Sequence, residues 1–230
     1  MKIVKKTMAA IMLMAMVVFT VGCNNSTSNG GGKNGSATES NGNANNGHDY
    51  VDLGLPSGTL WAICNIGASS PEDYGNYYAW GETGTKDIYD WDTYKYANGN
   101  NGFTDELTTL QVGDDPATTW GSGWQTPDKE QWDELLNNTT NQWTTQNGVS
   151  GRLFTSKKNG QTLFLPAAGF RWVSELHGAG SYGCYWSRSL YTDDPNYAWY
   201  FDFFSHRCGM NYVYRYFGRS VRPVRSAHQN

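Results

Sequence analysis

The fold is decided by residues 183–217, GCYWSRSLYTDDPNYAWYFDFFSHRCGMNYVYRYF. Three runs rich in aromatic and β-branched residues, 183–191, 197–204 and 210–217, alternate with short segments of Asp, Pro, Asn, Ser and Gly. Such runs bounded by turn residues are typical of strands. With a fourth run at 220–225, the pattern predicts a meander of antiparallel strands.

Three patterns in the preceding part of the chain predict further elements. Asn159-Gly160 lies between the apolar runs 152–156 and 162–166 and is a hairpin signal, because both residues tolerate positive φ. A helix is predicted over 127–138, with Thr126 as N-cap and Pro127 in the first helical position. Trp132, Leu135 and Leu136 would form its apolar face.

Less regular segments complete this prediction. Residues 50–66 predict one or two strands with a turn at 56–58, and residues 69–102 predict long ordered loops. A weaker helical turn is predicted near 105–111. Strands, a helix and then a run of strands indicate an α+β fold, mostly antiparallel, with one or two short helices and long ordered loops.

The first 47 residues are expected to lie outside this fold. Three lysines precede the apolar run 8–21, which ends at Gly22-Cys23. We interpret 1–22 as a lipoprotein signal peptide, Cys23 as the lipidated residue and 23–47 as a disordered Asn/Gly/Ser tether. The alternative is an ordinary secretory signal that is cut nearby. The folded domain is then 48–230.

Composition and charge exclude several classes of protein. Charged residues are only 17% and aromatic residues 15%, which is the opposite of a disordered chain. The net charge of −4, without a dense cluster of Lys and Arg, argues against a nucleic-acid partner. Residues 48–151 hold 3 basic and 16 acidic residues, and 152–230 hold 10 basic and 4 acidic residues. The two parts are therefore expected to attract each other.

The sequence lacks the common motifs of catalytic and metal sites. The four histidines are scattered without metal-ligand spacing, and neither a nucleophile elbow nor a phosphate loop is present. Asp194-Pro195-Asn196 is interpreted as a tight loop rather than a calcium site. We expect no enzyme activity, no cofactor and no metal. The distant carboxylate pair of a glycosidase stays an open alternative.

Six motifs in order carry a resemblance to a known family. They are DLGLPSGTLWAICNIGA (52–68), YAWGE (78–82), WGSGWQTP (120–127), FLPAAG (164–169), YWS (185–187) and GRSVRPV (218–224). Together they resemble the Fibrobacter succinogenes major paralogous domain family, common in secreted lipoproteins of gut Bacteroidetes. The resemblance implies a C-type-lectin-like fold, also seen in formylglycine-generating enzymes. It further implies an outer-membrane lipoprotein, on the cell surface, whose only membrane contact is its lipid anchor.

The same family resembles the variable proteins of diversity-generating retroelements, in which adenine mutagenesis randomises codons. Codons of the NNC type exclude Lys, Glu, Gln, Met and Trp. Residues 181–217 contain no Lys, Glu or Gln, so this segment is the candidate variable region. Trp186, Trp199 and Met210 would belong to the fixed scaffold. The alternative is physical, because half-buried aromatic strands disfavour Lys and Glu in any case.

The candidate binding residues follow from composition and strand alternation. Tyr, Trp and Phe mixed with Asn, Ser, Asp and Arg resemble the composition of an antibody paratope. Trp186, Phe201 and Phe203 are expected to point inward, and Tyr200, Asp202 and Phe204 outward. The predicted ligand-binding residues are Arg188, Tyr191, Tyr197, Tyr200, Asp202, Phe204, His206, Tyr212, Tyr214 and Tyr216. The alternative is that these aromatic side chains only pack the fold.

Two further questions stay open from the sequence. Cys184 and Cys208 could form a disulfide or stay free. The expected function is a membrane-anchored receptor for an unknown protein or glycan. The alternatives are a structural or adhesin subunit of an envelope or fimbrial assembly, and an accessory protein of polysaccharide use.

Overall fold

The computed structural model describes residues 48–99 and 102–227. In chain order these form β1 (Tyr50–Asp52), β2 (Thr59–Ala62), α1 (Pro116–Trp120), α2 (Lys129–Asn138), β3 (Thr139–Gln146), β4 (Val149–Ser156), β5 (Thr162–Pro166), β6 (Phe170–Trp172), β7 (Glu175–His177), β8 (Gly183–Leu190), β9 (Tyr197–Phe203), β10 (Cys208–Tyr214) and β11 (Val224–Ser226). The predicted signal peptide, lipidated Cys23 and tether lie outside the described residues. No helix of the described ranges is long and apolar enough to cross a membrane.

The predicted meander is confirmed for its first three strands. β8, β9 and β10 form one antiparallel sheet in the order β10-β9-β8, and an irregularity in β8 lies between Trp186 and Leu190. The fourth predicted strand is only partly correct. β11 covers three residues and pairs with β2 instead of the meander, in a second sheet of order β1-β2-β11.

The predicted helix exists but begins two residues later than expected. Asp128, not Thr126, is its N-cap, because Gln131 completes a reciprocal capping box with Asp128. Thr126 instead donates its hydroxyl hydrogen to buried Asp115, the N-cap of α1. The helical turn predicted near 105–111 is wrong. The short helix α1 lies further along, where Asp115 caps a helix that starts at Pro116.

The hairpin predicted around Asn159-Gly160 is confirmed as β4–β5, with Gly160 at a φ of 74°. Strand β3 was not predicted, although a second Asn-Gly pair marks its turn into β4. Asn147 and Gly148 there have φ values of 47° and 83°. Two positive φ values in a two-residue loop are the signature of a type I′ hairpin.

Near the C-terminal end of β9, other parts of the fold pack on both faces of the β8–β10 sheet. On one face Phe201 and Phe203 are fully buried, and Phe201 stacks on Trp132 of α2 at 4.6 Å. On the other face Tyr200 packs against Trp186 and the rest of a second core cluster. Trp132 and Leu135 are fully buried, which confirms the predicted apolar face of the helix. The mostly antiparallel α+β architecture is therefore as expected.

Three buried arginines fix the chain after β10. Arg215 donates to both carboxylate oxygens of Asp105, at 3.0 and 2.8 Å. Arg219 lies 3.7 Å above the Tyr200 ring. Arg222 donates to backbone carbonyls at the end of β2, and burial lowers its pKa to about 10. Because each cation is held by internal partners, this segment is built into the core.

The two C-terminal cysteines are free thiols. Cys184 is opposite Asp202 in the β8–β9 register, and Cys208 is opposite Phe203 in the β9–β10 register. Asp202 and Phe203 are consecutive and point to opposite faces of the sheet. The two sulfur atoms therefore lie on different faces, which settles this open question against a disulfide.

Candidate ligand-binding surface

One end of the β9–β10 hairpin carries a continuous group of aromatic rings, which we call the aromatic band. Its members are Trp91, Tyr191, Tyr197, Trp199, Tyr212 and Tyr214. The strand register creates it, since Tyr212 is opposite Trp199 and Tyr214 is opposite Tyr197. These four side chains share the face that buries Phe201 and Phe203 further along β9. Core packing covers only that far part of the face.

The rings of the band hold one another in place. Tyr191 stacks on Tyr212 with centroids 4.1 Å apart, and Tyr197 stacks on Tyr214 at 4.6 Å. Trp199 meets Tyr191 and Tyr212 edge-on, at 5.3 and 5.8 Å. Tyr212 is 45% and Tyr214 37% exposed. Because their neighbours restrain them, these exposed rings present a preorganised surface.

Trp91 enters the band from a distant loop. Its ring meets Tyr214 edge-on at 5.9 Å and Tyr216 at 4.8 Å. The loop is closed by Thr93, whose backbone N–H donates to Asp90 at 2.9 Å and whose hydroxyl donates to the Ile88 carbonyl at 2.8 Å. The loop is therefore ordered by its own hydrogen bonds, as predicted for this part of the chain.

The β6–β7 hairpin continues this surface. Trp172, Val173 and Leu176, which we call the hairpin tip, are exposed at 47%, 42% and 41%. The Trp172 ring lies 6.2 Å from the ring of Phe217, which stacks on Tyr216 at 4.8 Å. Val173 has a φ of 51°, which is strained for a β-branched residue, and its backbone pairs with Tyr89 in both directions. The tip is thereby fixed beside the band.

Carboxylates surround the band. Burial, followed by the nearby Asp193 carboxylate, raises the pKa of Tyr191. The pKa of Tyr197 is raised to about 12, first by the hydrogen bond between its hydroxyl and that of Tyr214, with Asp194 also contributing. At the other end of the band, Lys129 lies 5.3 Å above Trp199 and pairs with Asp133 at 2.7 Å.

Four of the ten predicted site residues, Tyr191, Tyr197, Tyr212 and Tyr214, lie together in the aromatic band. The expected exposure of Tyr200 and Asp202 is wrong, since only 9% and 4% of these residues is exposed. They do point away from Phe201 and Phe203, but that face of β9 is covered as well. Tyr200 lies under Arg219, and burial raises the pKa of Tyr200 to about 12.

Tyr216 is also buried, at 9% exposure, and supports Trp91 from beneath. Arg188 is half-buried, and its guanidinium donates to the Gln125 side chain and the Leu110 carbonyl. It therefore links β8 to two loops and is committed to internal contacts.

Phe204 and His206 lie in the turn between β9 and β10, at the opposite end of the hairpin. Seven strand residues separate that turn from Tyr191's end of the sheet, a distance of about 20 Å. Phe204 packs against Tyr182 at 4.5 Å, and Arg152 donates to the Phe204 carbonyl at 2.6 Å. The predicted residues therefore divide between two separate surfaces.

Sequence reasoning missed three tryptophans on or beside the band. Trp199 has the same strand parity as Tyr197, so alternation could have found it. Trp91 and the hairpin-tip Trp172 are brought in by tertiary contacts that leave no local signal in the sequence.

No group of three or more His, Cys, Asp or Glu side chains in the described ranges is placed to hold a metal ion. The Asp194-Pro195-Asn196 segment is the tight loop that was predicted, since Asp194 accepts hydrogen bonds from the backbone and side-chain nitrogens of Asn196 at 2.9 and 2.8 Å.

The comparisons with known proteins give one match. Residues 144–225 match a family described as Domain of unknown function (DUF8237). This stretch of the chain is similar to that family. It covers just over a third of the chain and includes the whole β8–β10 sheet, but not Trp91. No curated protein and no solved structure matches the chain.

Proposed function

We propose that this chain is a membrane-anchored surface lipoprotein that binds a protein or glycan ligand through the aromatic band. The observation that carries the proposal is that the exposed rings of Tyr212 and Tyr214 are packed among the half-buried rings of the band. Tyr and Trp supply contact area at low conformational cost and are enriched among the residues that dominate binding energy. An exposed aromatic patch on a well-packed protein is typical of an interaction site.

The C-type-lectin-like fold and the lipid anchor at Cys23 are parts of the same proposal. The antiparallel sheets, the two short helices and the long ordered loops support that fold, and the six motifs in order support the lipoprotein family. A lipid anchor followed by a polar tether would hold the domain away from a membrane.

The proposed function also includes diversification of the tyrosines of the aromatic band by a retroelement. Tyr191, Tyr197, Tyr212 and Tyr214 are all within 181–217, and Tyr is an amino acid that NNC codons encode. Trp91 lies outside that segment, and NNC codons exclude the tryptophan at 199. The band would then combine variable tyrosines with fixed tryptophans. The buried residues Tyr200 and Asp202 would be constrained by packing whatever their codons allow.

The test is binding by the Tyr212→Ala/Tyr214→Ala variant of the full chain in detergent. Calorimetric titration would use three probes, namely cellohexaose, a Lys/Arg-rich peptide and an Asp/Glu-rich peptide. We expect at least one probe to bind the unaltered chain and to lose roughly tenfold or more in affinity in the variant. Tyr182→Ala is the matched control, because Tyr182 is 39% exposed but packs on Phe204, away from the band. Binding that is equal in all three proteins, or absent throughout, would refute the role of the band.

A further inference from the structure

We infer that the aromatic band recognises a cationic segment of a protein partner, with Lys or Arg side chains lying on the rings between the surrounding carboxylates. This inference rests on the proposed function and names the chemistry of its ligand.

The carboxylates around the band are uncompensated. Asp193 and Asp194 lie in the loop between Tyr191 and Tyr197, where the Tyr197 backbone N–H donates to the Asp194 carbonyl at 3.1 Å. Asp90 directly precedes Trp91. Asp92 is exposed and directly follows Trp91. Within the described residues none of these four carboxylates forms an ion pair. The surface is therefore negatively charged on both sides of the rings.

Four arginines of the C-terminal part do not offset this charge. Arg152, Arg215, Arg219 and Arg222 are all buried and hold internal partners. Four of the ten basic residues of 152–230 are thus held inside the fold. The band faces solvent with acidic neighbours, although residues 152–230 together hold more basic than acidic residues.

Near the band, Lys86 and Lys95 form ion pairs with carboxylates outside the band. Lys86 pairs with Glu82 at 2.9 Å, and Lys95 pairs with Asp114 at 3.3 Å. Both lysines lie in the same loop as Trp91, so their pairing leaves Asp90 and Asp92 uncompensated.

Aromatic faces and carboxylates attract the same kind of group. A Lys ammonium or Arg guanidinium above a Trp or Tyr face is favoured by the ring quadrupole, and nearby carboxylates add Coulomb attraction. Lys129 already occupies such a position 5.3 Å above Trp199, which shows that this surface accepts a cation. An anionic ligand would meet like charge from Asp193 and Asp194 on one side of the band and from Asp90 and Asp92 on the other.

The extent of the surface favours a protein segment over a small free cation. The buried ring of Tyr216 connects Tyr214 to half-buried Phe217, which lies 6.2 Å from Trp172 of the hairpin tip. A small cation would leave the exposed apolar groups of the tip uncovered. A peptide carrying both basic and apolar side chains matches the carboxylates and the tip together.

The test removes the charges and keeps the rings, using the Asp92→Asn/Asp193→Asn variant of the full chain. We expect its affinity for the Lys/Arg-rich peptide to fall roughly tenfold at low salt, since each exposed charge pair contributes modestly. Peptide binding by the unaltered chain should weaken steeply between about 0.05 and about 0.5 M salt, and peptide binding by the variant should not. Glu130→Gln, an exposed carboxylate without an ion pair in the described part of the chain, is the matched control and should bind normally.

The inference would be overturned if the affinity for the Lys/Arg-rich peptide were unchanged in the Asp92→Asn/Asp193→Asn variant and independent of salt. It would equally be overturned if cellohexaose, the acidic peptide or phosphatidylcholine vesicles bound instead and lost binding in Tyr212→Ala/Tyr214→Ala. In that case the band would still be a binding surface, and the proposed function would stand. If no probe depends on the band, both the inference and the proposed function fail.

Discussion

The buried pair between Arg215 and Asp105 yields the most quantitative prediction. The Arg215 side chain is 1% exposed and that of Asp105 is 8% exposed. The guanidinium also lies 4.6 Å from the Trp80 ring and 4.4 Å from the Phe103 ring. Asp105→Asn keeps the shape and one acceptor oxygen but leaves the arginine without a counter-charge.

Removing one partner of a buried ion pair typically costs about 3–5 kcal/mol. The retained amide oxygen and the two rings still stabilise the guanidinium, so we expect the lower end, about 3 kcal/mol. For a domain of this size the melting temperature should then fall by roughly 6–12 °C. Arg215 follows β10 and also contacts the carbonyl of Pro195, so the loss should loosen the support of Tyr214.

The measurement is urea unfolding of the parent, Asp105→Asn, Arg215→Met and the double variant, followed by circular dichroism. Since the site is lined by aromatic rings, the uncharged double variant should lose less stability than the two single losses added together. Equal urea midpoints for Asp105→Asn and the parent would contradict the reasoning, because the pair would then contribute nothing to stability.

Three further predictions follow from single positions. Leu135→Ala should lower the free energy of unfolding by about 2–5 kcal/mol, because Leu135 is fully buried. Leu136 is half-buried, so Leu136→Ala should lower it clearly less. Equal urea midpoints for the two variants would contradict the placement of the helix. Tyr197 should titrate near 12 by NMR of ring-labelled tyrosine and should move toward about 10 in Tyr214→Phe. Because its proton is held more tightly in the folded chain, the contribution of Tyr197 to stability should decline as pH rises from about 10 toward 12, and an unmoved titration would exclude the hydroxyl contact. Cys23→Ala should shift the protein out of the detergent phase, and unchanged partitioning would refute lipidation.

Local sequence signals predicted the elements that local chemistry controls. The β4–β5 hairpin follows from Asn159-Gly160, and the meander follows from three aromatic runs between turn residues. The start of α2 was misplaced because two residues could cap it. Asp115 binds the Thr126 hydroxyl, a contact across eleven residues that no local rule contains. Strand β3 was missed because its sequence, TTNQWTTQ, is polar and lacks the usual apolar alternation.

The candidate site shows what alternation can and cannot predict. Strand period assigned Tyr200 and Phe201 to opposite faces of β9, and this is correct. It could not tell that Arg219 covers the Tyr200 face, nor that the other face is buried at Phe201 and Phe203 but only half-buried at Tyr197 and Trp199. Trp91 joins the band from a distant loop. Strand alternation predicts on which face a side chain lies, but it predicts exposure only where that face is open to solvent along the whole strand. Neither face of β9 is open along its whole length.

The central claim is that the β9–β10 hairpin separates a stabilising part from a binding part. The most direct measurement is the free energy of unfolding of two matched variants, Tyr200→Ala and Tyr212→Ala, by urea titration. Tyr200 is buried, so its loss should cost about 3–5 kcal/mol. Tyr212 is 45% exposed, so Tyr212→Ala should lower the free energy of unfolding by only about 1 kcal/mol, through the loss of its ring contacts. Equal losses in the two variants would contradict the account, because Tyr212 would then belong to the core and not to a surface free to bind.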